Sequence, residues 1–197
     1  VPYEIIHYKR DPETMLAPDS LREIHPLGKS PVLEEEGIVV AETGAIIEYI
    51  IDRHGGGRLK PPAGTEAARQ WTYWMHYAEG SAMPPLLMKL VFQRLPENAN
   101  ALMRPLVKGV ASRAESGFVD PRLKEHITYW DGSLEKTGWF AGDEFTAADI
   151  IMSFPLEAAV SRAGAGGHAR ISDFLARIHD RPAYKTALDK GGPYAYA

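Results

Sequence analysis

The run Pro31-Val32-Leu33-Glu34-Glu35-Glu36-Gly37-Ile38-Val39-Val40-Ala41-Glu42-Thr43-Gly44-Ala45-Ile46 decides how the first part of this 197-residue chain folds. Two β-prone stretches, residues 31–35 and 38–41, meet at Glu36-Gly37, a pair suited to the turn of an antiparallel hairpin. A helix is expected behind them over residues 43–54, with Ile46, Ile47, Ile50 and Ile51 on one apolar face. Gly55-Gly56-Gly57 should end it, because glycine readily takes the left-handed conformation past a helix C-terminus. Upstream, residues 1–9 read as a strand that is apolar on both faces toward its middle, ending at Arg10-Asp11-Pro12. Residues 13–24 read as a short helix weakened by Pro18. The expected order is β-α-β-β-α, a small α/β unit.

Lys60-Pro61-Pro62-Ala63-Gly64 has linker composition, and beyond it no segment reads as a strand. Residues 65–95 have Ala68, Trp71, Met75, Ala78 and Ala82 at helical spacing, with a kink or division expected at Pro84-Pro85. Further helices are expected over 98–116, 121–136, 146–162, 171–181 and 182–190, joined by turns short enough for an antiparallel bundle. The expected organisation is an α/β domain over residues 1–58, a linker over 59–64 and an all-helical domain over 65–197.

Composition narrows the chemistry. A hydrophobic content of 45% beside 24% charged residues is that of a globular chain, not a disordered one. Twenty-two basic against 26 acidic residues give a formal charge of −4 and a pI near 6.0, without the basic excess of a nucleic-acid binder. No apolar run reaches the ~20 residues that span a bilayer, so neither nucleic acid nor a membrane is expected as a partner. The absence of cysteine excludes disulfides, thiolate metal sites and a cysteine nucleophile within these residues, and a cytoplasmic location is expected. The seven histidines show no metal-ligand spacing, so no metal is expected.

Three local features carry information. In Phe145-Thr146-Ala147-Ala148-Asp149-Ile150, Thr146 and Asp149 have the spacing of a capping box, and Phe145 and Ile150 that of a hydrophobic staple. That is a folding device, not a catalytic site. Pro155 should bend the helix that follows. In His25-Pro26-Leu27-Gly28-Lys29-Ser30-Pro31-Val32-Leu33, a loop runs into a strand headed by proline, where main-chain groups stay free for an extended ligand and the Ser30-Pro31 bond is a candidate for the cis isomer. In Glu42-Thr43, an acid and a hydroxyl sit where strand becomes helix. They have two readings: a cap with its dipole-complementing charge, or a site for a ligand carboxylate at the helix N-terminus.

Together these runs resemble the cytosolic glutathione S-transferase family, of bacterial type and without assignment to a class. The resemblance covers nearly the whole chain and rests on His25–Leu33, Glu42-Thr43-Gly44-Ala45-Ile46, the turn Trp139-Phe140-Ala141-Gly142, and Thr146-Ala147-Ala148-Asp149-Ile150 in that order. It implies a thioredoxin-like N-terminal domain that binds glutathione as co-substrate, with a helical C-terminal domain supplying a neighbouring apolar pocket. By resemblance, Ser30 and cis Pro31 meet the cysteinyl part of glutathione, Glu42 and Thr43 hold its γ-glutamyl end, and Lys29 faces the glycyl carboxylate. The pocket walls are expected around Tyr73–Tyr77 and near Pro84–Met88. The family also implies a homodimer, for which the aromatic helix from Thr65 is the expected interface.

In this family the first domain runs β-α-β-α-β-β-α. Residues 1–9 correspond to its second strand, so the first strand and helix, which carry the thiol-activating Ser, Tyr or Cys, are expected to precede Val1. No catalytic residue is assigned among the 197. The expected activity is attack of the glutathione thiolate on a small hydrophobic electrophile. The alternatives are a glutathione-dependent disulfide reductase or peroxidase, and a non-catalytic interaction module with the same fold.

Overall fold

The computed structural model describes every residue except Glu13, Met15 and Ala197. It divides into two compact units, Val1–Lys60 and Pro61–Ala197.

The first unit is built on the hairpin of β1 (Val32–Glu35) and β2 (Ile38–Ala41), flanked by α1 (Asp19–Ile24) and α2 (Thr43–His54). The strands are antiparallel, with Val32 opposite Ala41 and Glu35 opposite Ile38. Glu36 and Gly37 both have positive φ, 51° and 82°, as a tight hairpin turn requires. Glu35 ties this turn to the end of α2: it accepts from the Tyr49 hydroxyl at 2.7 Å, lies 3.0 Å from Arg53 Nε and 2.8 Å from His54 Nε2. Those donors hold its carboxyl below the usual carboxylate range, the Tyr49 hydrogen bond first among them.

Two expectations for this unit change. The helix expected over 13–24 includes Glu13 and Met15, which lie outside the described residues; α1 starts only at Asp19, with Pro18 at its N-cap in extended conformation. A proline inside the helix would remove a donor and push against the preceding turn, so the helix begins after it. Residues 1–9 do not form a strand, and Val1, Tyr3, Ile5 and Ile6 are exposed. A segment apolar on both faces needs a ladder partner on each side, and the sheet among the described residues contains β1 and β2 alone.

The second unit is helical: α3 (Glu66–Tyr77), α4 (Met83–Arg94), α5 (Arg104–Ala114), α6 (Asp120–Ser133), α7 (Ala147–Ala163), α8 (Ala169–His179) and α9 (Pro182–Gly191). At its centre is α7, buried on most sides, with α3, α4, α6 and α8 packed around it. It runs on through the buried Pro155 without ending.

The break expected at Pro84-Pro85 falls just before those residues, in a π-helical turn over Ala78–Ala82, and a second π turn spans Glu115–Val119 between α5 and α6. Both have the same cause. Pro84 and Pro121 cannot donate to the carbonyls four residues back, those of Gly80 and Gly117, and their rings push those carbonyls away. Both glycines lie within the widened turns. Lys89, almost fully buried on α4, links to the second turn through Asp120 at 2.5 Å and Glu115 at 3.5 Å.

The capping box forms. Asp149 Oδ2 accepts from the Thr146 amide at 2.7 Å, and Thr146 Oγ1 accepts from the Ala148 amide at 3.2 Å. Phe145 packs edge-on against Trp139 and beneath Arg181, while Ile150, its expected staple partner, is exposed.

Candidate functional site

The hairpin register assembles the candidate site of the first unit. Because Val32 faces Ala41, the residues next along each strand, Pro31 and Glu42, lie at the same open end of the hairpin, opposite the Glu36-Gly37 turn. Ser30 and Thr43 follow at that end, with Lys29 one residue further back. Five residues from two runs of sequence are thus gathered at one edge of the first unit. The Ser30-Pro31 bond is cis. Gly28 sets the approach of the loop: its φ is +55°, and a Cβ there would stand 2.7 Å from Arg22 Cγ on α1.

Glu42 is the most informative residue of the group. It occupies the N-cap of α2 with φ 73° and ψ 127°, a conformation unusual for a residue with a side chain. Holding it there costs roughly 1–3 kcal/mol. The capping explanation does not account for that cost, because the Glu42 side chain caps nothing and Thr43 is already inside the helix. The first turn of α2 carries no acidic residue either. Its leading amides and the positive end of its dipole are therefore left for something else, with an exposed carboxylate and a hydroxyl beside them. Such an edge can take a zwitterion, the carboxylate of Glu42 meeting an ammonium and the helix end meeting a carboxylate. Lys29, also exposed, adds a cation two residues before Pro31.

The chain belongs to the glutathione S-transferase family. It is 30% identical to glutathione S-transferase 1 of Saccharomyces cerevisiae over 198 aligned residues, which cover 95% of this chain and 84% of that relative. Residues 1–52 match the family model for the glutathione S-transferase N-terminal domain. Glutathione S-transferase 3 of Schizosaccharomyces pombe is 29% identical, covering 96% of this chain and 78% of its own length. Among solved structures, a glutathione S-transferase of Actinobacillus pleuropneumoniae superposes with a TM-score of 0.75 at 27% identity, covering 96% of this chain and 81% of that one. A sphingomonad glutathione S-transferase solved with glutathione shares the fold, with a TM-score of 0.67 at 22% identity and coverage of 94% and 87%.

In the second unit, a cavity of about 670 Å³ opens between the first half of α3 and the end of α6. Tyr73, Trp74, Tyr129, Trp139 and Phe140 line it, with Arg69 and Lys136 among the charged groups. Tyr73 is part of this wall. Tyr77 and the segment Pro84–Met88 do not line it, and Pro85 and Leu86 are buried in the core.

Tyr77 is instead part of a polar network. Its hydroxyl accepts from Trp130 Nε1 at 3.1 Å and meets Nδ1 of His126. Indole can only donate, so the Tyr77 oxygen accepts from Trp130, and its own proton is available to Nδ1 of a neutral His126. Burial agrees with this assignment, lowering the His126 pKa and raising that of Tyr77 to about 12.

Sequence reasoning missed what Asp149 does beyond its own helix. Its second oxygen accepts from the Phe140 amide at 2.8 Å, pinning the Trp139-Phe140-Ala141-Gly142 turn to the start of α7. Arg177 holds the other side of that turn, donating to the Gly138 carbonyl at 2.5 Å and lying 4.0 Å from the Trp139 ring centre. The one available signal was the order of the two motifs, with only residues 143–145 between them, which the capping box alone does not require.

Proposed function

We propose that the chain is a glutathione transferase that binds glutathione at the open end of the β1–β2 hairpin and promotes attack of its thiolate on a small hydrophobic electrophile. The observation that carries the reading is Glu42, kept in a strained conformation beside an uncapped helix start. In this reading Glu42 receives the γ-glutamyl ammonium, and the Thr43 hydroxyl with the α2 amides receives the adjoining carboxylate. The main chain at Ser30 and Pro31 pairs with the cysteinyl part, and Lys29 faces the glycyl carboxylate. No thiol-activating role is assigned to any of these residues.

The protein is proposed to act as a cytoplasmic detoxification enzyme and to form a homodimer. The dimer is supported by the exposure of Tyr73 and Tyr129 on the aromatic side of the α3–α6 cavity, a surface that a second copy would dry.

Retention on immobilised glutathione, followed by conjugation assays with model electrophiles, tests the reading. Retention together with conjugation is expected. Retention with thiol–disulfide exchange or peroxide reduction in place of conjugation would select the reductase or peroxidase. Loss of both binding and turnover would leave an interaction module.

A further inference from the structure

The segment that follows α9 lies against α7, and side chains rather than main chain hold it there. Past the Gly192 amide, which donates to the Leu188 carbonyl at 3.0 Å, no main-chain hydrogen bond ties residues 193–196 to another element among the described residues. The Tyr194 hydroxyl donates to Oε2 of Glu157 on α7, and the Arg162 guanidinium on the same helix donates to the Tyr196 hydroxyl. The Tyr196 ring also packs edge-on against Phe154, with 5.8 Å between ring centres. Both tyrosines are half-buried, whereas Pro193 and Ala195 are exposed. Gly192 makes the bend possible, because φ 80° with ψ −158° is a conformation essentially confined to glycine.

Glu157 is where this segment meets two helices. It is almost fully buried, and its Oε1 accepts from His179 Nε2 at the end of α8 at 2.8 Å and from the Tyr184 hydroxyl on α9 at 3.0 Å. The His179 and Tyr184 rings stack with 4.6 Å between centres. Burial first, and Glu157 after it, pushes both phenols up, Tyr184 to about 12, so Tyr184 and Tyr194 remain donors at neutral pH. Oε2 has Tyr194 as its one donor among the described residues, and a buried carboxylate oxygen without a donor is costly.

From His179 the contacts continue along α8. Arg177, two residues earlier, holds the Gly138 carbonyl and lies over Trp139. Phe174 packs edge-on against Trp139 and Phe140, at 6.0 and 5.2 Å between ring centres. Both of those aromatic residues line the α3–α6 cavity. Contacts therefore run without a break from Tyr196 through Tyr194, Glu157 and α8 to the cavity wall.

We propose that residues 192–196 form a strap that opens and closes on α7 and thereby sets the order of the cavity wall. Seated, Tyr194 completes the donor set of Glu157, Glu157 holds the end of α8, and α8 holds the turn at Trp139-Phe140. Released, the strap leaves Glu157 short of a donor, and the end of α8 and the turn loosen together. Two hydroxyl hydrogen bonds and a ring contact are a slight attachment, which places its opening at the low end of local unfolding.

Two measurements on the full chain test the device: the rate of chymotrypsin cleavage after residue 194, which reads the strap, and hydrogen exchange followed by mass spectrometry, which reads the wall. The Gly138 and Phe140 amides are suitable reporters, since both are hydrogen-bonded, to the Leu134 carbonyl and to Asp149. Tyr194→Phe keeps the ring and removes the hydroxyl. It should speed cleavage, and exchange at residues 138–140 and in the last turn of α8, about tenfold, with α4 and α5 at parental rates. Tyr196→Ala separates the strap from a local effect on Glu157, because Tyr196 makes no hydrogen bond to Glu157 or α8. It should loosen the same segments. Faster cleavage with parental exchange at residues 138–140 in either variant overturns the proposal, as does unchanged cleavage in both. A uniform rise in exchange that includes α4 and α5 also overturns it, since that is global destabilisation rather than a strap.

Discussion

Glu42 and Asp149 are both acids placed at a helix start, and they do opposite things. Asp149 is completely buried and saturated with donors; Glu42 is exposed and caps nothing. Glu42→Gly removes the side chain that makes its positive φ costly, so it should stabilise the fold by about 1 kcal/mol while weakening glutathione binding. Chemical denaturation and a binding titration on the same variant check both halves. For Asp149, burial outweighs the hydrogen bonds it accepts and pushes its pKa up to about 6. The folded state then holds the proton more tightly than the unfolded chain. Its contribution to stability is therefore greatest below pH 4 and declines as pH rises toward 6, by roughly 3 kcal/mol. Subtracting the pH–stability curve of Asp149→Asn from that of the parent should isolate this slope. Asp149→Ala, which strands the Phe140 and Thr146 amides, should cost about 2–4 kcal/mol at neutral pH, measured by denaturant unfolding.

At the scale of elements, the hairpin, α2 and the capping box of α7 were legible because each is specified by adjacent residues. Glu36-Gly37 dictates its own turn, and Thr146 and Asp149 are close enough to find one another by spacing alone. The cis Ser30-Pro31 bond was legible as a candidate from its proline and became an expectation only through the family resemblance. What stayed hidden depends on partners distant in sequence. Residues 1–9 have strand composition, but composition does not supply a ladder. Pro84-Pro85 announced a break without its position, because the disturbance acts on carbonyls four residues earlier. Lys89 gave no sign of burial, since its partners, Glu115 and Asp120, lie at the two ends of a second π turn. Leaving those partners unpaired should make Lys89→Ala destabilising by about 3 kcal/mol, whereas Lys89→Met, which fills the space without a charge, should retain part of that loss. Thermal unfolding of the two variants tests the ranking.

Over the whole molecule, most of the hydrophobic core belongs to the helical unit. In the first unit, Leu21 and Ile51 are the fully buried apolar side chains among the described residues. The motif-bearing runs of that unit therefore serve the hairpin edge more than a core, consistent with a site that gathers main-chain and helix-end groups. The second unit exposes Tyr73 and Tyr129 beside its cavity, and the proposed dimer contact there has a direct check. Tyr73→Glu should shift the molecular mass from that of a dimer toward that of a monomer in light scattering at micromolar concentration, because it places a charge on the surface to be dried. An unchanged dimer mass would move the interface elsewhere.

Strain at Glu42 and the open start of α2 are proposed to serve glutathione binding. Isothermal titration of glutathione into the parent and into Glu42→Ala/Thr43→Ala tests it most directly. Saturable one-site binding by the parent is expected, weakened on the order of 10- to 100-fold in the variant through loss of charge-assisted hydrogen bonds. A parent that does not bind glutathione, or a variant that binds it as tightly as the parent, would contradict the account.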